Sequence, residues 1–244
     1  MNLPRFHCPF PLAAHLRVEL PEALAHHAVR VLRLRDGASI IVFDGQGGCY
    51  PATLEIENRR AWAHTGAHEL TDIELPVRTV LVQGIASADK MDWITEKAVE
   101  MGVAQLVPIT ARRSVVQLSP ERREKRVQHW QRIAVAASEQ CGRNRIMEVA
   151  PPQSLAEWLR GEAEPGMLRL TCHPHAESTL AEAVQAHAGA LALLVGPEGG
   201  WSDEELALME ENALTRVRFG RRVLRTETAG VALMGALAAI KGWE

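Results

Sequence analysis

The sequence is short of lysine. Only four of its 27 basic side chains are lysines, and the other 23 are arginines. It also lacks net positive charge, standing at a formal −3, which excludes a protein that grips nucleic acid by overall charge but leaves room for a local basic patch. Paired cysteines are missing as well. The four cysteines, at 8, 49, 141 and 172, form no CxxC and fit no zinc spacing, so they read as buried or free thiols in a reducing compartment. The N-terminal stretch MNLPRFHCPFPLAAHLRVEL has no unbroken apolar core of the kind a signal peptide needs, and the longest apolar run, residues 229–240, is too short to span a bilayer. No GK[ST] phosphate loop, GxGxxG fingerprint, internal repeat or low-complexity tract occurs. These absences leave the expectation of a soluble, cytoplasmic protein without a membrane or metal partner.

What is present is ordinary globular material. The 244 residues are 47% hydrophobic and 23% charged, enough for one large domain or two modest ones with a core that needs no staples. Charge is uneven. Residues 1–72 carry seven basic and eight acidic side chains, residues 73–150 twelve and nine, and residues 151–244 eight and thirteen. A polyanion would therefore meet the middle of the chain. The arginine excess suits phosphate, whose geometry the guanidinium fork matches, or it reflects genomic base composition.

The patterning divides the chain. Residues 21–34 predict a helix with Leu24, Ala28, Val31 and Leu32 on one face. Residues 39–44 and 49–55 predict strands joined across Gly45–Gly48 as a hairpin, with residues 61–67 as a third strand. Residues 70–76 read as a linker. From residue 77 onward strands (77–83, 103–109, 167–172, 191–195, 215–219) alternate with helices (89–101, 120–141, one after Ser154, 179–187, one after Ser202, 227–241). That alternation predicts an α/β domain, with a parallel sheet covered by helices on both faces. Gly102 stops one helix, and Ser154 with Glu157 and Ser202 with Glu205 form capping boxes.

Four segments carry candidate chemistry. Leu193–Ser202 runs from an aliphatic strand through Gly196-Pro-Glu-Gly-Gly200 into a capped helix. That loop is a ligand site beyond a strand end or simply a tight turn. Gly220–Gly230 packs three arginines and Thr-Glu-Thr against a very apolar helix. Thr226 or Thr228 caps that helix, and Arg225 is expected to face a site. Glu139–Arg145 ends a long helix and serves either capping or binding. The basic run Arg112, Arg113, Arg122, Arg123, Lys125, Arg126, Arg132 is a solvated face or a phosphate contact. Cys172-His173-Pro-His175 is a weaker candidate, for a metal.

Several further pieces stand in order along nearly the whole chain: Pro4-Arg5-Phe6, HAVRVLRL over 27–34, Phe43-Asp44-Gly45, Lys90-Met-Asp92, Glu96-Lys-Ala98, Gly102-Val103, EQCGRN over 139–144, His173-Pro174, LVGPEGG over 194–200 and RVLRTET over 222–228. With these the chain resembles the bacterial 16S rRNA uridine-N3 methyltransferases of the SPOUT superfamily. The resemblance implies a small, β-rich, PUA-like RNA-binding domain over 1–72. It implies a SPOUT domain over 73–244, with a deep trefoil knot that holds S-adenosylmethionine. It also implies a homodimer and, as substrate, a decoding-region uridine of 16S rRNA on the assembled small ribosomal subunit.

Carried onto this sequence, cofactor contact falls to Leu170, His173, Gly196, Pro197, Glu198, Gly199, Leu224, Thr226 and Thr228. Arg225 stabilises charge on the base or positions it, with Glu198 or Glu227 organising the loops; these three are the candidate catalytic residues. RNA contact falls to Arg5, Arg30, Arg33, Lys90, Arg112, Arg113, Arg143 and Asn144. No metal is expected, and no residue stands out as a general base. Two other classes fit the sequence less well. A non-catalytic RNA-binding factor leaves GPEGG and RVLRTET unexplained. A nucleotide-dependent oxidoreductase needs an early phosphate loop that Val82–Ser87 lacks. Within the methyltransferases, another base or a ribose 2′-O is the alternative target.

Overall fold

A computed structural model describes residues 3–58, 60–114, 119–162, 164–173 and 176–243. The chain divides into two compact units, one formed by residues 1–74 with 138–146 and the other by 75–137 with 147–244.

The first unit is built on a five-stranded sheet in the order β1 (Arg5–His7), β3 (Ser39–Phe43), β4 (Tyr50–Glu57), β5 (Arg60–Thr65), β2 (Arg17–Glu19). The predicted hairpin forms, β3 pairing antiparallel with β4 so that Val42 faces Tyr50. Alternation sets the core. Ile40 and Val42 are fully buried beside Phe6, Leu54, Ala61 and Ala63, while Ile41 is only half-buried. The helix expected over 21–34 is shorter than its apolar spacing suggested. The regular helix α1 covers Glu22–His26 and then widens into a π-helical turn, His27–Val31. Ala28 is buried, but Val31 and Leu32 are 57% and 42% exposed, so the four apolar positions do not share one buried face.

The expected linker is tied down within this unit. Arg143 binds Glu74 through its Nε at 2.9 Å and through Nη2. Asn144 donates to the Thr71 carbonyl at 2.6 Å, and Arg145 Nε lies 3.1 Å from Asp72. Residues 138–146, expected to go with the larger domain, instead contribute their side chains here. Glu139 accepts the His7 backbone N–H at 2.8 Å, and Asn144 accepts a bond from Arg5. Burial raises the Glu139 carboxyl, against the lowering pull of that N–H and of nearby His27 and Arg5.

The second unit has a six-stranded sheet in the order β11 (Thr215–Val217), β9 (Leu168–Cys172), β10 (Leu191–Val195), β6 (Thr79–Gly84), β7 (Gln105–Ile109), β8 (Glu148–Val149). Every pairing is parallel. Side-chain alternation assigns the two faces. Val80, Val82, Ala192 and Leu194 pack with Leu155 and Leu159 of α4 (Leu155–Arg160) and Met209 of α6 (Asp203–Glu211). Leu81 points the other way, 3.3 Å from where a Cβ would stand on Gly230 of α7 (Thr226–Lys241), a helix that packs against α2 (Ala88–Glu100). Helices thus cover both faces, as the all-aliphatic β10 requires.

Helix ends follow the sequence signals. Ser154 with Glu157 and Ser202 with Glu205 close reciprocal capping boxes, and Thr179 with Glu182 closes a third at α5 (Leu180–Val184). Gly102 ends α2 at φ +80°, where the missing Cβ removes the strain. The long helix α3 covers Pro120–Cys141 and carries the fully buried Trp130.

Candidate functional site

The carboxyl ends of β10 and β9 open onto a cleft of about 860 Å³. Two loops of the second unit bound it: residues 196–202 after β10 and residues 218–225 after β11. Such crevices at strand ends are where open α/β sheets bind ligands. The volume lies within the range of about 300–1,000 Å³ usual for small-molecule sites.

The loops are held by backbone contacts that only small residues permit. A Cβ on Gly84, the last residue of β6, would stand 2.5 Å from the nitrogen and Cδ of Pro197. One on Gly199 would meet the Arg113 carbonyl at 2.7 Å. Thr226 Oγ1 donates to the Gly196 carbonyl at 2.6 Å and accepts from Gln83 Nε2 at 2.8 Å. The end of β6, the β10 loop and the start of α7 therefore meet at one hydroxyl.

The wall is apolar over much of its area and includes Leu194, Leu206, Leu224 and Leu233. His173, Gly196, Pro197, Glu198, Leu224, Arg225 and Thr226 all line it, so the structure brings most of the sequence candidates together. Four others lie outside the wall. Leu170 is buried within β9 at 1% exposure, while Gly199, Glu227 and Thr228 border the same loops without lining the cleft. Burial pushes the Glu198 carboxyl up, but its own backbone N–H, that of Ser87 and the Lys90 ammonium outweigh this and hold it below the usual carboxylate range. Burial alone pushes the Cys172 thiol, on the same wall, up to about 11.

The expected RNA contacts fall into two groups. Arg30, Arg33, Arg112 and Arg113 are exposed. Arg112 lies 3.1 Å from Glu204, and Arg113 donates to the Trp201 carbonyl at 3.1 Å. The others are engaged within the protein. Arg143 and Asn144 are 3% and 1% exposed, so their expected role as surface contacts gives way to bracing the first unit. Arg5 stacks over Phe43 at 5.2 Å and bonds Asn144. Lys90 lies between two glutamates.

Sequence reading placed Trp201 in the 193–202 loop but gave it no role, and gave none to Gln83; the Trp201 indole nitrogen would stand 3.2 Å from a Cβ on Gly196. The signal for Gln83 was present, as a polar residue directly after the apolar run Val80-Leu-Val82 of β6. Among the described residues no three His, Cys, Asp or Glu side chains converge as a metal site, and His175 lies outside those residues. Nor is any helix among them long and apolar enough to cross a membrane.

Known proteins give this geometry its context. A model of the RNA methyltransferase domain matches residues 73–238, and one of the RNA methyltransferase PUA domain matches residues 20–61. The chain is 30% identical over 230 residues to ribosomal RNA small subunit methyltransferase E of Synechocystis, a match spanning 91% of this chain and 73% of that one. The crystal structure of the protein of the same name from Neisseria gonorrhoeae, bound to S-adenosyl methionine, superposes with a TM-score of 0.90 at 34% identity over 98% of both chains. A putative methyltransferase from Legionella pneumophila, in complex with bound SAM, gives 0.92 at 30% identity, again over 98% of both.

Proposed function

Since the chain belongs to the ribosomal RNA small subunit methyltransferase E family of SPOUT RNA methyltransferases, we propose that it methylates N3 of a uridine in the decoding region of 16S rRNA, using S-adenosylmethionine. The observation that carries this reading is the cleft between the 196–202 and 218–225 loops, with Arg225 at its edge.

The cleft suits the cofactor. Its volume accommodates a nucleoside with an amino-acid arm, and its leucines suit an adenine face. Gly196, Pro197, Glu198, Leu224, Thr226 and His173 are the residues that would hold it. When bound, S-adenosylmethionine supplies an electrophilic methyl group. No phosphate is present in it, which fits the lack of a phosphate loop.

The remaining work falls to the chain. N3 of uridine carries a proton at neutral pH, and losing it leaves negative charge on the ring. Arg225, exposed at the N-terminus of α7 with no side-chain capping bond, would stabilise that charge or position the base; its exposure and its place on the cleft wall support this. Glu198 and Glu227 order the two loops. The exposed Arg30 and Arg33 of the first unit and Arg112 and Arg113 of the second supply phosphate contacts. Because the base must be reached at its Watson–Crick edge, it is taken unpaired or flipped.

The same reading includes a deep trefoil knot, a homodimer, a cytoplasmic location and the assembled small subunit as substrate. The close approach of Pro197, in the loop after β10, to Gly84 at the end of β6 supports tight packing of that loop. The test is methyl transfer from labelled S-adenosylmethionine to small subunits from cells lacking this protein, followed by nucleoside mass spectrometry. New 3-methyluridine in 16S rRNA is the expected result. A different methylated nucleoside would reassign the target atom, and no transfer would remove the reading.

A further inference from the structure

Lys90 lies in the first turn of α2 and reaches carboxylates from two different segments. Its Nζ is 3.4 Å from Glu198 Oε1 and 3.3 Å from Glu227 Oε2. Glu198 belongs to the cleft wall, and Glu227 opens α7 two residues after Arg225. The same Glu198 oxygen accepts the backbone N–H of Ser87 at 3.2 Å. One ammonium and one amide, both at the head of α2, therefore hold the two segments that bound the cleft. Lys90 is itself no part of the wall.

The three side chains are 29%, 21% and 26% exposed for Lys90, Glu198 and Glu227. That is too little water to make either carboxylate indifferent to losing the ammonium. Glu227 Oε2 has essentially no solvent contact. Without Lys90 two like charges would face each other, each on a different segment, and the segments would separate or reorganise. An RNA phosphate approaching Lys90 would have to displace two carboxylates already in place.

We infer that Lys90 is a positioning residue, fixing the Glu198 loop against the start of α7 and so shaping the cofactor side of the cleft, and not an RNA contact. This rests on the methyltransferase reading above. The role predicts a particular pattern of losses. A distorted wall weakens every ligand that fills it, whatever its charge. A lost RNA contact weakens RNA alone, and a changed local charge at the sulfur acts on the sulfonium of the substrate but not on the neutral thioether of the product S-adenosylhomocysteine.

The experiment compares wild type, Lys90→Met and Lys90→Arg in methyl transfer to small subunits, with cofactor and product binding by calorimetry. Wild-type binding and turnover establish the underlying reading. Lys90→Met is expected to raise the KM for S-adenosylmethionine and the Kd of S-adenosylhomocysteine alike, by about tenfold, with the KM for subunits within about twofold of wild type. Lys90→Arg restores most of the loss, which unfolding or a general structural defect would not allow. In a Glu198→Gln/Glu227→Gln background, Lys90→Met has little further effect, because its partners' charges are gone. A rise confined to the subunit KM would overturn the inference, as would a change in S-adenosylmethionine alone or wild-type constants throughout. A wild type that binds no cofactor would sink the inference together with the reading beneath it.

Discussion

Thr226 Oγ1 donates a 2.6 Å hydrogen bond to the carbonyl of Gly196, thirty positions earlier in the chain. The donor is 7% exposed, and the same oxygen accepts from Gln83 Nε2. Thr226→Val keeps the volume and removes both bonds. The expected result is a loss of about 1–3 kcal/mol of stability, since the half-buried Gly196 carbonyl and the buried Gln83 amide lose a partner, together with weaker cofactor binding. Thermal melts and calorimetric titration measure both, and wild-type values in each would make the tie incidental.

Arg225 has no capping bond to hold it, so its removal should spare the fold. Arg225→Ala is expected to lower kcat by about 100- to 1,000-fold, the range for deleting one group that stabilises developing charge. The cofactor Kd should stay within about threefold of wild type. Normal turnover would take Arg225 out of the chemistry.

Gly84 allows two backbones to touch. The methyl group of Gly84→Ala would sit 2.5 Å from Pro197 N and Cδ, atoms of a backbone and a ring that have no flexible end to yield. A destabilisation of about 1–3 kcal/mol is expected from this overpacking. Displacement of the 196–202 loop should also cut cofactor affinity. Denaturant titration and cofactor binding would show it.

Arg143 is 3% exposed and paired with Glu74, whose side chain is 17% exposed. Arg143→Met strands that carboxylate and should cost about 3–5 kcal/mol, the range for breaking a buried pair from one side. Adding Glu74→Leu should recover much of the loss. If the double variant is no more stable than the single one, the pair is not what holds residues 138–146 in the first unit.

Alkali should weaken the first unit through Cys8. Burial, with help from the negative charges of Glu139 and Asp44, pushes this thiol up to about 12. The unfolded thiol titrates near about 8.5. A folded value above the unfolded one means the contribution is complete below about pH 8.5 and is lost as the pH rises toward 12. Melting temperature should fall over that window less steeply in Cys8→Ala than in wild type. Parallel slopes would show that the thiol does not contribute.

Legibility in the sequence tracked how local each signal was. The β10 strand falls on the predicted residues 191–195 because an unbroken aliphatic run suits only a strand covered on both faces. The Ser154 and Ser202 caps form as expected because both partners lie within one turn. The strands β1 and β2 are three residues each, and what makes them strands is pairing with β3 and β5, far along the chain. The site divides the same way. Gly196–Trp201 and Arg222–Thr228 were visible as unusual loops at strand ends. Arg143 and Lys90 were visible only as cations. Whether a cation meets solvent or an acid 69 or 137 positions away is a tertiary fact, and local sequence reads alike in both cases.

Residues 138–146 belong with residues 1–74. During synthesis the first unit therefore cannot close when its own strands leave the ribosome. The His7 amide, the Arg5 guanidinium, the Thr71 carbonyl and the Glu74 carboxylate must wait for partners at positions 139, 144 and 143. Meanwhile β6, α2, β7 and most of α3 are translated. The N-terminal unit is finished late, by a piece delivered only after residues 75–137 of the larger one have been made. A fragment ending at residue 74 would emerge with those groups unanswered, however complete its sheet.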